Sequence, residues 1–116
     1  MNGTALIIQE NFQEYYELAQ DALSKKKWNG AVTLFYKALV ELCDYALFQS
    51  LGKIGANHTE RFELLQRHQP ELYQIAHQLF QYYRDSYSKR ISPTIAGVIK
   101  EHVDAAKKLV FSPPKM

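Results

Sequence analysis

An all-α fold, an antiparallel up-and-down bundle of four long helices plus one short helix, is what this sequence predicts. Three observations point there. Apolar residues recur at steps of three and four along nearly the whole chain. No segment alternates apolar and polar residues between hairpin turn signals. Helix start and stop residues fall where one periodic segment meets the next. The 116 residues suit one domain with one core. That domain is expected over 1–111, with 112–116, SPPKM, an extended or disordered tail.

The first helix is expected over 4–26, with the stripe Ala5, Ile8, Phe12, Tyr15, Ala19, Ala22 and Leu23. The second runs from near 28 to near 52 on Trp28, Ala31, Val32, Phe35, Ala38, Leu39, Leu42, Tyr45 and Ala46. Leu34, Cys43 and Leu47 widen that stripe, so this helix should be the most buried. Gly52 and Gly55 are natural stops. Asn57 can cap a short third helix, with Glu60 in capping-box spacing and Phe62, Leu64 and Leu65 as its apolar contacts. Pro70 suits the first turn of a fourth helix carrying Leu72, Ile75, Ala76, Leu79, Phe80 and Tyr83. Ser92 followed by Pro93 starts a fifth, with Ile95, Val98, Ile99, Val103, Ala106 and Leu109 on its stripe.

Hydrophobic content of 47% and charged content of 22% are ordinary globular values. No apolar run reaches the roughly 18 residues of a membrane span. The first residues carry no basic stretch or cleavage site of a signal peptide. The single cysteine, Cys43, leaves no internal disulfide. A cytoplasmic chain with no membrane partner is expected. The net charge of +2 does not by itself point to nucleic acid. Three local runs could: Lys25, Lys26 and Lys27; Arg84 with Lys89 and Arg90; and Lys107 with Lys108. The plainer reading of each is solvated surface.

Helical bundles often house metals, but the ligand patterns are missing. No acidic residue has a histidine three positions later, and His58, His68, His77 and His102 form no pair four apart. Glu10, Glu14 and Glu17 share a helix face, as the solvated side of a helix commonly does. Cys43 lies in the most apolar helix and reads as a small core residue, not a nucleophile. No glycine-rich phosphate loop and no G-x-S-x-G elbow is present. No metal and no cofactor is expected.

The order of several short motifs carries a resemblance. Trp28-x-x-Ala31 and Phe35-Tyr36-x-Ala38 run through the buried second helix. The Gly52–Gly55 turn with Lys53 follows, then His58-Thr59 with Phe62, then Arg84-x-x-Tyr87, and a final helix ending in Ala105-Ala106. Over about residues 10–110 this resembles the HEPN domains, in particular the small single-domain branch associated with minimal nucleotidyltransferases. The resemblance implies a bundle of four or five helices, usually a homodimer, with a nucleotidyltransferase as a possible partner protein. Many members are metal-independent ribonucleases, some of them toxins of toxin-antitoxin pairs. Their motif is an arginine, four to six residues, then a histidine. Arg84 matches the arginine. The positions where the histidine would stand hold Lys89, Arg90 and Ile91. Lysine and arginine are protonated near neutrality and make poor bases.

Two other histidines compete for that role. Arg61 and His68 have the family's spacing on the short third helix, two turns apart, but a two-residue match arises easily by chance. Tyr73, His77, Phe80, Arg84 and Tyr87 follow one another at helical steps along the fourth helix, so a dimer packed there would bring His77 and Arg84 pairs together. Otherwise His77 is a half-buried packing residue, and His102 a structural one. The tyrosines either fill core margins with hydroxyls turned to water or stack on bases. Tyr36 and Tyr83 fit the first reading and Tyr87 the second.

The expected function is a HEPN-like domain that interacts with a nucleotide or RNA, non-catalytic and acting with a partner protein. Arg84, Tyr87, Lys89 and Arg90 are the binding residues. One alternative is a metal-independent, toxin-like ribonuclease with His77 and Arg84 as catalytic candidates. Another is a helical protein–protein interaction module. Ala31, Phe35 and Ala38 after Trp28 match part of a tetratricopeptide repeat, but no second copy recurs 34 residues on.

Overall fold

The computed structural model describes residues 3–111. The expected tail at 112–116 lies outside them. Among the described residues every regular element is a helix: α1 (Gly3–Ser24), α2 (Trp28–Leu51), α3 (His58–His68), α4 (Pro70–Asp85) and α5 (Pro93–Phe111). None is long and apolar enough to cross a membrane.

The end signals act as the sequence suggests. Asn57 Oδ1 accepts from the Glu60 amide at 2.9 Å, and the Glu60 carboxylate reaches back past the cap to the Ala56 amide at 2.9 Å, one residue beyond the bond of a true capping box. Ser92 Oγ accepts from the Ile95 amide at 3.2 Å, and Pro93 opens α5. Gly52 ends α2 in the left-handed conformation at φ 72°, where a side chain would be strained. Gly55 is needed for a different reason. A Cβ there would stand 2.8 Å from the Arg61 backbone, so its bare backbone lets the link pack flat on α3.

Helix α2 packs against each of the other four helices, which explains its apolar breadth. Its buried side chains include Ala31, Val32, Phe35, Ala38, Leu39, Leu42, Cys43 and Leu47. Cys43 is a core residue, and burial pushes its thiol up to about 12. Tyr36 corrects an expectation. It is 1% exposed, and its hydroxyl donates to the Ala76 carbonyl at 2.8 Å instead of turning to water. Burial demands that partner, because an unbonded phenol in the core would lose its hydration for nothing.

Polar contacts fix how the helices register. Asn29, near the start of α2, bonds to backbone just beyond the end of α4. Tyr36, further along α2, bonds to the middle of α4. On the other side Phe12 and Tyr16 of α1 meet Phe111 and Asp104 of α5. Lys107 lies over both α1 rings, at 5.9 and 5.1 Å from their centroids.

Candidate functional site

The turn joining α1 to α2 is lysine-rich and holds its shape by backbone bonds. The Lys27 amide donates to the Ala22 carbonyl at 2.9 Å and the Lys26 amide to Leu23 at 3.0 Å, a Schellman close. That motif puts one residue in the left-handed region, where glycine is usual. Here it is Lys26, at φ 61°, the one non-glycine with positive φ among the described residues. The strain is about 1 kcal/mol. Lysine stands where a glycine would relax the chain.

The α4–α5 connection is pinned against this turn by Asn29. Its amide nitrogen donates to the carbonyls of Ser86 at 3.0 Å and Lys89 at 2.5 Å, and its Oδ1 accepts from the Ile91 amide at 3.0 Å. One helix turn further on, Thr33 and Ser86 join hydroxyls at 2.7 Å. Residues far apart in sequence are thereby fixed side by side.

The two connections form an open groove of about 1000 Å³. Its walls carry four cationic residues, Lys26, Lys27, Lys89 and Arg90, and two rings, Trp28 and Tyr87. No acidic residue is among the described residues that line it. The first turn of α2 and the start of α5 also border it, so the positive ends of two helix dipoles lie there. Among these cations only Lys89 has an ion pair, at 3.5 Å to Asp85 and largely exposed. Lys25 is engaged by Asp21 at 2.9 Å, away from the groove lining. Four cations, of which only Lys89 has a carboxylate partner, beside the exposed Tyr87 ring and the half-buried Trp28 ring, fit a ligand bearing phosphates and flat bases.

The expected site residues separate. Tyr87, Lys89 and Arg90 line the groove. Tyr87 lies in the turn after α4, not on the helix, and is 65% exposed. Arg84 does not line the groove. It is exposed on the last turn of α4, with its guanidinium 5.9 Å from the Phe80 ring centroid. His77 is exposed, not half-buried, and stacks on Tyr73 at 5.2 Å. Arg61 and His68 share a helix but not an environment: Arg61 is buried and His68 exposed. His102 donates from Nδ1 back to the Val98 carbonyl at 2.9 Å. Glu10, Glu14 and Glu17 are exposed. Among the described residues no group of three or more His, Cys, Asp or Glu side chains gathers to hold a metal ion.

Lys26, Lys27 and Trp28 also line the groove, although they were not among the expected site residues. Their signal was the unbroken lysine run ending at an aromatic residue. What the sequence did not display was its neighbour, the Lys89–Arg90 pair.

A second cluster lies between α1, α2, α3 and α4. Asp44, buried in α2, accepts from Arg61 Nε at 2.9 Å and Nη2 at 3.2 Å. Arg61 also meets the Gly55 carbonyl at 3.4 Å and His58 Nδ1 at 3.4 Å. His58 packs among Tyr36, Phe62, Phe80 and Tyr83. Burial, and after it the Arg61 and Lys37 charges, lowers its affinity for a proton. Tyr83 stacks on Tyr36 at 4.6 Å and shares a 2.8 Å hydroxyl contact with Tyr87.

No protein-family model, curated protein or solved structure matches this chain.

Proposed function

We propose that this protein is a non-catalytic, HEPN-like domain that binds single-stranded RNA or the phosphates of a nucleotide in the groove between the α1–α2 and α4–α5 connections. One observation carries the reading: four cationic residues and two aromatic rings line the groove, with no carboxylate among them. The rings offer stacking surfaces, and the cations can follow a phosphate chain without reading its sequence. A homodimer and a nucleotidyltransferase partner belong to the same reading through the family resemblance. So does an antiparallel up-and-down bundle of α1, α2, α4 and α5, with α3 as a crossover. The pairings of Asn29 with the end of α4, and of Phe12 with Phe111, support that arrangement.

The test is binding of fluorescently labelled single-stranded RNA without divalent metal, across a series of salt concentrations. With about three to four phosphates engaged, log affinity should fall against log salt with a slope of about −2 to −3. Arg90→Ala should weaken binding and flatten that slope by about 0.7. Arg84→Ala should change it less. RNA binding that ignores Lys27→Ala, Lys89→Ala and Arg90→Ala together would exclude the groove. Cleavage of the RNA lost on His77→Ala would instead favour the ribonuclease alternative.

A further inference from the structure

The cavity beside the Asp44–Arg61 pair has a volume of about 310 Å³. Tyr15 of α1, Lys37 and Glu41 of α2, His58 and Arg61 of α3 and Tyr83 of α4 line it. We propose that it binds the oxyanion of a small molecule, a carboxylate or a phosphate, held by the Lys37 ammonium and the Nε2–H of His58. This inference does not rest on the RNA-binding groove.

The tautomer of His58 follows from its partner. A guanidinium has donors only, so where Arg61 Nη1 meets His58 Nδ1 the ring nitrogen must accept. The proton of the neutral ring then sits on Nε2. Arg61 cannot turn away from this task, because Asp44 and the Gly55 carbonyl hold its other nitrogens. His58 is thereby a fixed hydrogen-bond donor at the cavity wall. It is badly placed to be a base, since Nε2 already carries its proton. The burial and neighbouring cations that keep the ring neutral also keep this tautomer populated near neutrality.

Lys37 supplies the charge. It is half-buried, and among the described residues it has no ion pair. Its ammonium lies 5.9 Å from the Tyr83 ring centroid. A half-buried ammonium that shares the wall with Glu41 but forms no ion pair with it is open to an anion. Arg61 adds no free donor, since Asp44 already neutralises it.

Glu41 sets the sign of a test. It is the acid in the wall, and burial followed by the Asp44 charge raises its pKa, against the Asn11 hydrogen bond and Arg61. While ionised it opposes an anion. The volume lies at the small end of ligand sites, enough for a metabolite and too small for a polymer.

The experiment titrates the protein with inorganic phosphate and, separately, with acetate at constant ionic strength. It follows the ¹⁵N resonances of the His58 ring by NMR. The free protein should show His58 protonated at Nε2, and an anion should shift that signal with a Kd of about 1 mM. Lys37→Met should weaken the response about tenfold, and Glu41→Gln should strengthen it. Arg90→Ala, in the groove, should leave it unchanged, so failure here is distinct from failure of RNA binding. Response to phosphate alone assigns a phosphate ester as the ligand class, and response to acetate alone a carboxylate. No shift with either anion, or an unaltered response in Lys37→Met, overturns the proposal.

Discussion

Asp44 and Arg61 form a buried, two-pronged ion pair that ties α3 to α2, with oxygen–nitrogen distances of 2.9 and 3.2 Å. Asp44 stands within the apolar run of α2, between Cys43 and Tyr45. A carboxylate there is tolerable only because the guanidinium neutralises it. Arg61 in turn settles the Gly55 link and the His58 ring, so one pair organises a whole corner of the fold.

Removing one partner strands the other charge in the core. Arg61→Ala should destabilise the protein by about 3–5 kcal/mol, read from urea unfolding. Replacing both residues together, Asp44→Leu with Arg61→Met, should lose far less, because no unpaired charge remains. Equal losses in the single and double variants would show that packing, not charge, is what matters at this site.

Lys26 separates stability from binding. Lys26→Gly relieves the left-handed backbone and should stabilise the fold by about 1 kcal/mol. The same change removes a groove cation and should weaken RNA binding. A variant that is more stable and binds less well is the expected result. Unfolding and binding titrations on one preparation check both halves.

Asn29 has three hydrogen bonds to the α4–α5 connection. Asn29→Ala leaves the Ile91 amide and two carbonyls without that partner, at a cost of about 1–3 kcal/mol. Hydrogen exchange should speed up at Ile91 first. If exchange there stays slow, another contact fixes the connection.

The pH dependence of stability should carry a His58 signature. Its folded-state pKa lies below 6.5, so on acidification the unfolded chain takes up that proton first. The stability tied to the neutral ring is complete above about pH 6.5 and is lost as pH falls through the folded value. His58→Gln should remove this slope below about pH 6.5, measured by urea unfolding. Asp104 acts lower down. Burial pushes its carboxyl up, but hydrogen bonds from Lys100 and Tyr16 outweigh it and leave the net pKa below 3.8. Its contribution is present above that value and fades only in stronger acid.

The helices were legible in the sequence because their signals are local. Asn57 with Glu60, Pro70, and Ser92 with Pro93 act within a turn of where they stand, and the periodic stripes record which side of each helix leaves water. Tyr87, Lys89 and Arg90 could likewise be read as a cationic patch with a ring, since they are neighbours in the chain. Pairing them with Lys26, Lys27 and Trp28 was decided by tertiary structure. Asn29 joins segments some sixty positions apart, and no periodicity encodes that. The same holds for Asp44 and Arg61. In sequence Asp44 looks like a break in an apolar run and Arg61 like half of a nuclease spacing. Only folding shows them as one neutralised pair, because the free energy of a buried charge depends on what stands opposite it.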